Sequence, residues 1–333
     1  MLLLALASCG NDAATLKSEE DKNDQAEFTR PGMDPGIANL SNQIRSEPAN
    51  AALYAARAEM WYEKNNFDNA IIDLQSAQTM DSTNLDYHYL LTDVYLDYYQ
   101  SLLALKTIQR AVSLDPDNVE SLLTQAEVQL ILKQNDEALN SINEVTRVEP
   151  RNPDAYLILG HVFAEKGDTA RAINSTQEAV EIDPDMIDGW ITLGRLHAAI
   201  GSDLAGRFFD TAINLDPQDV TAIHAKADFL RDQNKINEAI ALYRQTTEID
   251  QQYVAGNFNA GLLYMELDSV NRAQEQFNIV VKNDPIHIRG YFFRGYTYEL
   301  QGNKDKAREN YAVALRFSPD YPLALAGMER VGE

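Results

Sequence analysis

Cysteine is nearly absent from this 333-residue chain, and the one example is Cys9. A lone cysteine closes no internal disulfide, and nine residues from the N-terminus it cannot sit in a core. Basic residues are scarce, 28 against 51 acidic ones, for a formal charge of −23. Such a surface repels phosphate backbones, which excludes nucleic acid and favours basic or neutral partners. Beyond residue 8 no apolar run approaches the ~18 residues of a membrane span. Histidine is sparse too: His88, His161, His197, His224 and His287 form neither an H-E-x-x-H motif nor a Cys/His cluster. The stretches "GRFFDTA" and "GYTYELQG" lack the lysine and the strand context of a phosphate-binding loop. No Ser/His/Asp order can be assigned, and with so many acids the carboxylate pairs are those of solvated faces. No cofactor, metal or catalytic residue is expected, and the chain does not read as an enzyme.

A period close to 34 residues runs through most of the chain. It is plain in "PDAYLILGHVFAEKGDTARAINSTQEAVEIDPDM" (153–186), which aligns with 254–287 and 288–321. Extending the frame divides the chain into eight units: 51–84, 85–118, 119–152, 153–186, 187–219, 220–253, 254–287 and 288–321. The fifth is one residue shorter, around "AIGSDLAG". Position eight is small: Ala58, Thr92, Ala126, Gly160, Gly194, Ala227, Gly261, Gly295. Position twenty, corrected for the deletion, is Ala70, Ala104, Ala138, Ala172, Ala205, Ala239, Ala273, Ala307. Each unit carries two apolar-periodic segments, the pattern of amphipathic helices, joined by a polar turn such as "EKGD". The small residues let paired helices approach, and an aromatic at position eleven (Phe163, Tyr264, Tyr298) fills the gap between pairs. Asp-Pro endings (Asp115-Pro116, Asp183-Pro184, Asp216-Pro217, Asp284-Pro285) stop the second helix, because a residue before proline disfavours the helical region.

These positions resemble the tetratricopeptide repeat (TPR) family over residues 51–321. The resemblance implies an all-α, right-handed superhelical solenoid of about eight helical hairpins. Residues 322–333 read as a capping helix, and 37–50 as the second helix of a partial leading unit. Departures fall at Ser82 and Gln251 (usually Pro), at Thr92, and at Val145, Thr246 and Val280 (usually Ala). One hairpin cannot bury its apolar face alone, so stacked neighbours must build the core.

Residues 9–36 are polar and acidic and read as a disordered tether. Leu6-Ala7-Ser8-Cys9 resembles the lipobox of bacterial lipoproteins, in which the chain is cut before a cysteine that then carries lipid. The resemblance implies a signal peptide over 1–8 and Cys9 as lipid attachment site; the competing reading is a chance cysteine in a tail. The apolar run Leu2–Ala7 is short and has no basic residue before it, so a start upstream is expected. The expected location is the bacterial envelope: an outer-membrane lipoprotein, periplasmic or surface-facing, held by its lipid alone.

In the TPR family, first-helix positions two, five, nine, twelve and thirteen line a concave groove. Here that implies Tyr62, Tyr89, Asp93 and Glu127, with Glu59, Glu63, Asp86, Asp97 and Glu120, at an acidic end. His161 and Arg195 fall in the middle, with Glu165, Asp228 and Arg231. Phe258, Leu262, Met265, Phe292 and Tyr296 form an apolar end, open to a partner or packed as core. The lysine and asparagine of the family's carboxylate clamp are replaced by Ala55 and Glu59. The expected partner is a protein segment, extended or helical, with basic and apolar parts. Tyr98 and Tyr99 fall in a turn where Gly or Asn is usual, as an interface patch or as packing on the next hairpin. The function expected is a non-catalytic scaffold or adaptor for an envelope complex, in outer-membrane assembly, secretion, or recruitment of a protease or peptidoglycan enzyme. The alternative is a soluble, co-chaperone-like peptide binder without lipid.

Overall fold

The computed structural model describes residues 34–332. Cys9, the signal-like segment 1–8 and tether residues 9–33 lie outside the described residues. Those described form eighteen helices and no strand, in two compact units that divide between Pro150 and Arg151. The first unit holds α1 (Pro35–Ser46), then α2 (Ala51–Glu63) with α3 (Phe67–Met80), α4 (Leu85–Asp97) with α5 (Ser101–Leu114), and α6 (Val119–Ile131) with α7 (Asn135–Val148). The second holds α8 (Pro153–Glu165) with α9 (Thr169–Ile182), α10 (Ile187–Ala199) with α11 (Ala205–Leu215), and α12 (Val220–Asp232) with α13 (Ile236–Ile249). It continues with α14 (Ala255–Glu266) and α15 (Val270–Asn283), α16 (Ile288–Leu300) and α17 (Lys304–Phe317), and closes on α18 (Pro322–Gly332). Within each unit every helix packs on its neighbours in chain order, so each is a short solenoid of helical hairpins.

The turn inside every hairpin has one geometry. Repeat position fifteen is left-handed in all eight: Asn65, Tyr99, Lys133, Gly167, Gly201, Asn234, Asp268 and Gly302. The next residue's N–H reaches back to the carbonyl five residues earlier, as Asn66 does to Trp61 (2.9 Å) and Asp168 to Phe163 (2.8 Å). The left-handed residue itself donates three residues back, as Asn65 does to Tyr62 (2.8 Å). This paired closure satisfies carbonyls that a helix end would leave open. Asx residues then start the following helices: Asn152 accepts from Ala155 N–H (2.9 Å) and Asp219 from Ala222 N–H (2.7 Å). Asp115, Asp183, Asp216 and Asp284, each before a proline, are extended and end their helices.

In three hairpins a glycine at position eight of the first helix makes room for a ring at position twenty-four of the second, whereas Gly160 meets the smaller Thr176. Glycine faces an aromatic ring at Gly194/Phe209, Gly261/Phe277 and Gly295/Tyr311, whereas Ala58 shares a cluster with the smaller Leu74. All eight residues at position twenty-four are at most 1% exposed, and full burial of the aliphatic or phenylalanine side chains among them stabilises by about 1.5–3 kcal/mol each. Thr92 fits at position eight because its hydroxyl donates to the His88 carbonyl (2.8 Å), which satisfies the one buried polar group it adds.

The leading helix starts before residue 37, where the sequence pattern had placed it. Asp34 accepts hydrogen bonds from the Gly36 and Ile37 amides (2.8 and 3.4 Å) and Pro35 takes the first helical position, so residues 34–36 belong to α1 and not to the tether. Arg57 locks α1 to the first hairpin. Its guanidinium donates twice to the Asp73 carboxylate (2.8 and 2.7 Å) and once to Ser41 of α1 (2.9 Å).

Candidate functional site

In the first unit, side chains of successive first helices meet to build one face. The Tyr62 hydroxyl of α2 donates to Asp97 of α4 (2.6 Å). The Tyr89 hydroxyl of α4 meets Asn118 (2.9 Å) and Ser121 of α6 (2.8 Å). Burial pushes both phenols above their usual range, and Asp97 adds to the effect at Tyr62. Asp93 stands one helical turn from Asp97. Partial burial, and then the charge of Asp97, raise its carboxyl above the usual range. The ion pairs of Arg57 and Lys64 go to Asp73 and Asp34, and no ion pair among the described residues involves Glu59, Asp86, Asp93 or Asp97. Glu127 on α6 is exposed.

The second unit carries a polar network on the matching face. His161 Nε2 lies 3.3 Å from Thr192 Oγ1 of α10, and His224 Nε2 lies 3.1 Å from Asn259 Nδ2 of α14. His224 is flanked edge-on by Tyr243 (5.0 Å) and Tyr253 (5.5 Å). Tyr243 donates to Asp228 (2.5 Å), which also pairs with Arg231 (3.0 Å). Burial pulls His161, His224 and His287 below the usual imidazole range. Arg195, exposed on α10, adds to this at His161 and His224. Tyr243, Tyr253 and Asn259 escaped the sequence reading because they fall outside the groove positions of the first helix; only Tyr243's place opposite a small Ala227 hinted at a reaching hydroxyl.

The expected apolar end of the groove is corrected at two residues. Phe258 is 5% exposed and Phe292 7%, so both are core. Phe258 packs on Phe277, Phe293 and His287 (5.3–5.8 Å), with the Arg289 guanidinium 4.6 Å above its ring. Phe292 is enclosed by Tyr311 and Tyr321 at 5.7 and 5.8 Å. Leu262 and Met265 are half-buried against the same core. Tyr296 stacks on Phe292 (6.2 Å), with Arg330 of α18 6.0 Å from its ring. Arg330 is held by Glu299 (2.6 and 3.0 Å), so the capping helix closes this end. Cys9 lies outside the described residues. Among the described residues no group of His, Cys, Asp and Glu is placed to hold a metal, and no helix is long and apolar enough to cross a membrane.

Comparison with known proteins fits this architecture. The family model described as "Tetratricopeptide repeat" matches residues 123–187 and 258–322, and one described as "TPR repeat" matches 227–268. The chain is 30% identical over 112 residues to BBSome complex member BBS4 of Mus musculus, a match covering 34% of this chain and 21% of that protein. It is 29% identical over 98 residues to a probable UDP-N-acetylglucosamine–peptide N-acetylglucosaminyltransferase SPINDLY of Solanum lycopersicum, covering 29% of this chain and 10% of that one. The chain thus matches about a fifth or less of the length of these relatives. Among solved structures, the Cut9 and Hcn1 hetero-tetramer of the APC/C shares the fold at 17% identity and a TM-score of 0.52, over 89% of this chain and 58% of that one. Hairpins of one geometry, a small-to-large pairing at a fixed spacing and two matching repeat models converge, and the chain is a tetratricopeptide repeat protein.

Proposed function

We propose that this protein is a non-catalytic interaction scaffold whose first unit binds a basic segment of a protein partner along α2, α4 and α6. The carrying observation is the carboxylate cluster beside Tyr62 and Tyr89, where Asp93 stands one helical turn from Asp97 and its carboxyl is raised first by partial burial and then by that charge. A lysine or arginine there relieves the repulsion, and the two half-buried phenols offer flat apolar flanks. Together with Cys9 as a lipid anchor in a bacterial envelope, supported by the Leu-Ala-Ser-Cys stretch, this makes the protein an adaptor for an envelope complex.

Fluorescence anisotropy with Lys/Arg-rich, neutral and Asp/Glu-rich peptides tests the scaffold reading. The basic peptide is expected to bind most tightly, to weaken as salt screens the exposed charges, and to be lost in Asp93→Lys. Equal binding of all three peptides defeats it. Fatty-acid labelling tests the anchor: label on the wild type and none on Cys9→Ala is expected. An unlabelled wild type removes the anchor and leaves the soluble peptide binder.

A further inference from the structure

Two departures from the repeat pattern fall beside one cavity. Position four is large in most repeats, as in Tyr54, His88, Tyr156, Trp190 and Tyr291, but in the seventh it is Asn257. The preceding unit ends in Gln251 where proline is usual. Both side chains line a cavity of about 260 Å³ that opens between the second helices α13 and α15, apart from the first-helix face. A single water needs only ~10–15 Å³, so this is space for a molecule.

The lining has a sign pattern. Arg244 and Glu248 come from α13, Lys282 and Asn283 from α15. Ion pairs among the described residues involve neither Arg244 nor Lys282, in a chain with 51 acids to 28 bases. Asn257 is 3% exposed, yet its Oδ1 is buried with no hydrogen-bond partner. A buried amide oxygen left unpaired is costly, so the seventh repeat gives up stability at this wall of the cavity. Asn283 is already engaged, its Nδ2 donating to the Gln251 carbonyl (2.8 Å), which fixes the cavity wall.

We infer that this cavity binds a small zwitterion of the free α-amino-acid class. The carboxylate sits between Arg244 and Lys282 and the ammonium faces Glu248. A simple anion satisfies the two cations but is repelled by Glu248 and offers it no cation. The site is independent of the groove, so its failure leaves the scaffold reading intact.

The test is thermal-shift and calorimetric titration of the full chain with each of the twenty free L-amino acids and, separately, inorganic phosphate. At least one amino acid is expected to raise the melting midpoint and to bind. Removing both cations (Arg244→Gln with Lys282→Gln) is expected to weaken that binding by roughly tenfold or more, as loss of hydrogen bonds to a charged group does. Asn257→Tyr, which restores the large residue of other repeats, is expected to abolish it. Both cations are exposed, so the double variant keeps its helicity and carries the test even where Asn257→Tyr fails to fold. The inference is overturned if no amino acid binds, if phosphate binds as well as the best amino acid, or if binding survives the double variant.

Discussion

Replacing Gly194 by alanine tests the packing logic of the repeat with one methyl group. A Cβ at Gly194 would lie 2.6 Å from Cε1, 2.7 Å from Cδ1 and 2.8 Å from Cζ of Phe209. Carbon atoms pack at about 3.5–4.0 Å, so roughly 1 Å of movement is required. Phe209 is 1% exposed and its ring packs on Phe229 (5.6 Å), so it has no free direction in which to swing. Overpacking of this kind costs about 1–3 kcal/mol. Alanine is the better helix former by about 1 kcal/mol, which offsets part of it. The net expectation is a loss on the order of 1 kcal/mol, or a drop of about 2–4 °C in melting midpoint for a unit of this size. Circular dichroism melts of wild type, Gly194→Ala, Phe209→Leu and the double variant read it. In the double variant the smaller leucine makes room, so its stability should exceed the additive expectation by about 0.5–3 kcal/mol. A Gly194→Ala protein more stable than wild type, or strict additivity, would refute the close approach of α10 and α11.

Other outcomes follow from the same structure. Asp73→Ala strands the Arg57 guanidinium, whose side chain is 14% exposed, and should cost about 3–5 kcal/mol in a urea titration. Tyr99→Gly should stabilise by about 1 kcal/mol in the same assay, because Tyr99 is left-handed and 94% exposed, so strain is relieved while little contact is lost. Lowering pH should destabilise the second unit. His161, His224 and His287 are held below the usual imidazole range, so the unfolded chain takes up protons first as pH falls through about 6.5, losing at most ~1.4 kcal/mol per pH unit per histidine. Thermal melts from pH 7.5 to 5 check this, and His161→Gln with His224→Gln should flatten the slope. Asp228, close to His224, works against the shift, so the slope should steepen in Asp228→Asn.

Most of the fold was legible because its determinants repeat. The alanine at position twenty, the small residue at eight and the Asp-Pro ending recur at a fixed spacing, and each repetition reports the same local physics. The groove was legible only by face. A position template says that Phe258 and Phe292 start from the first helix. It does not say that their rings reach under the next hairpin and the capping helix, which depends on Phe293 of the following repeat for Phe258 and on Tyr321, at the far end of its own repeat, for Phe292. The His224 network was half visible: His224, Asp228 and Arg231 lie on one helix, but Tyr243 and Asn259 come from two others. Asn257 was passed over because position four belongs neither to the small-residue pattern nor to the groove. Its meaning lies in the space it leaves.

Site-specific photo-crosslinking in cells tests the central claim most directly. A photoreactive residue is placed at Asp93 on the carboxylate face of α4 and, for comparison, at the exposed Ile72 of α3. The account predicts a defined protein adduct at Asp93, mapped to a Lys/Arg-rich stretch of the partner and lost when Asp97 becomes lysine. Adducts from Ile72 alone, or an acidic stretch captured at Asp93, would contradict it.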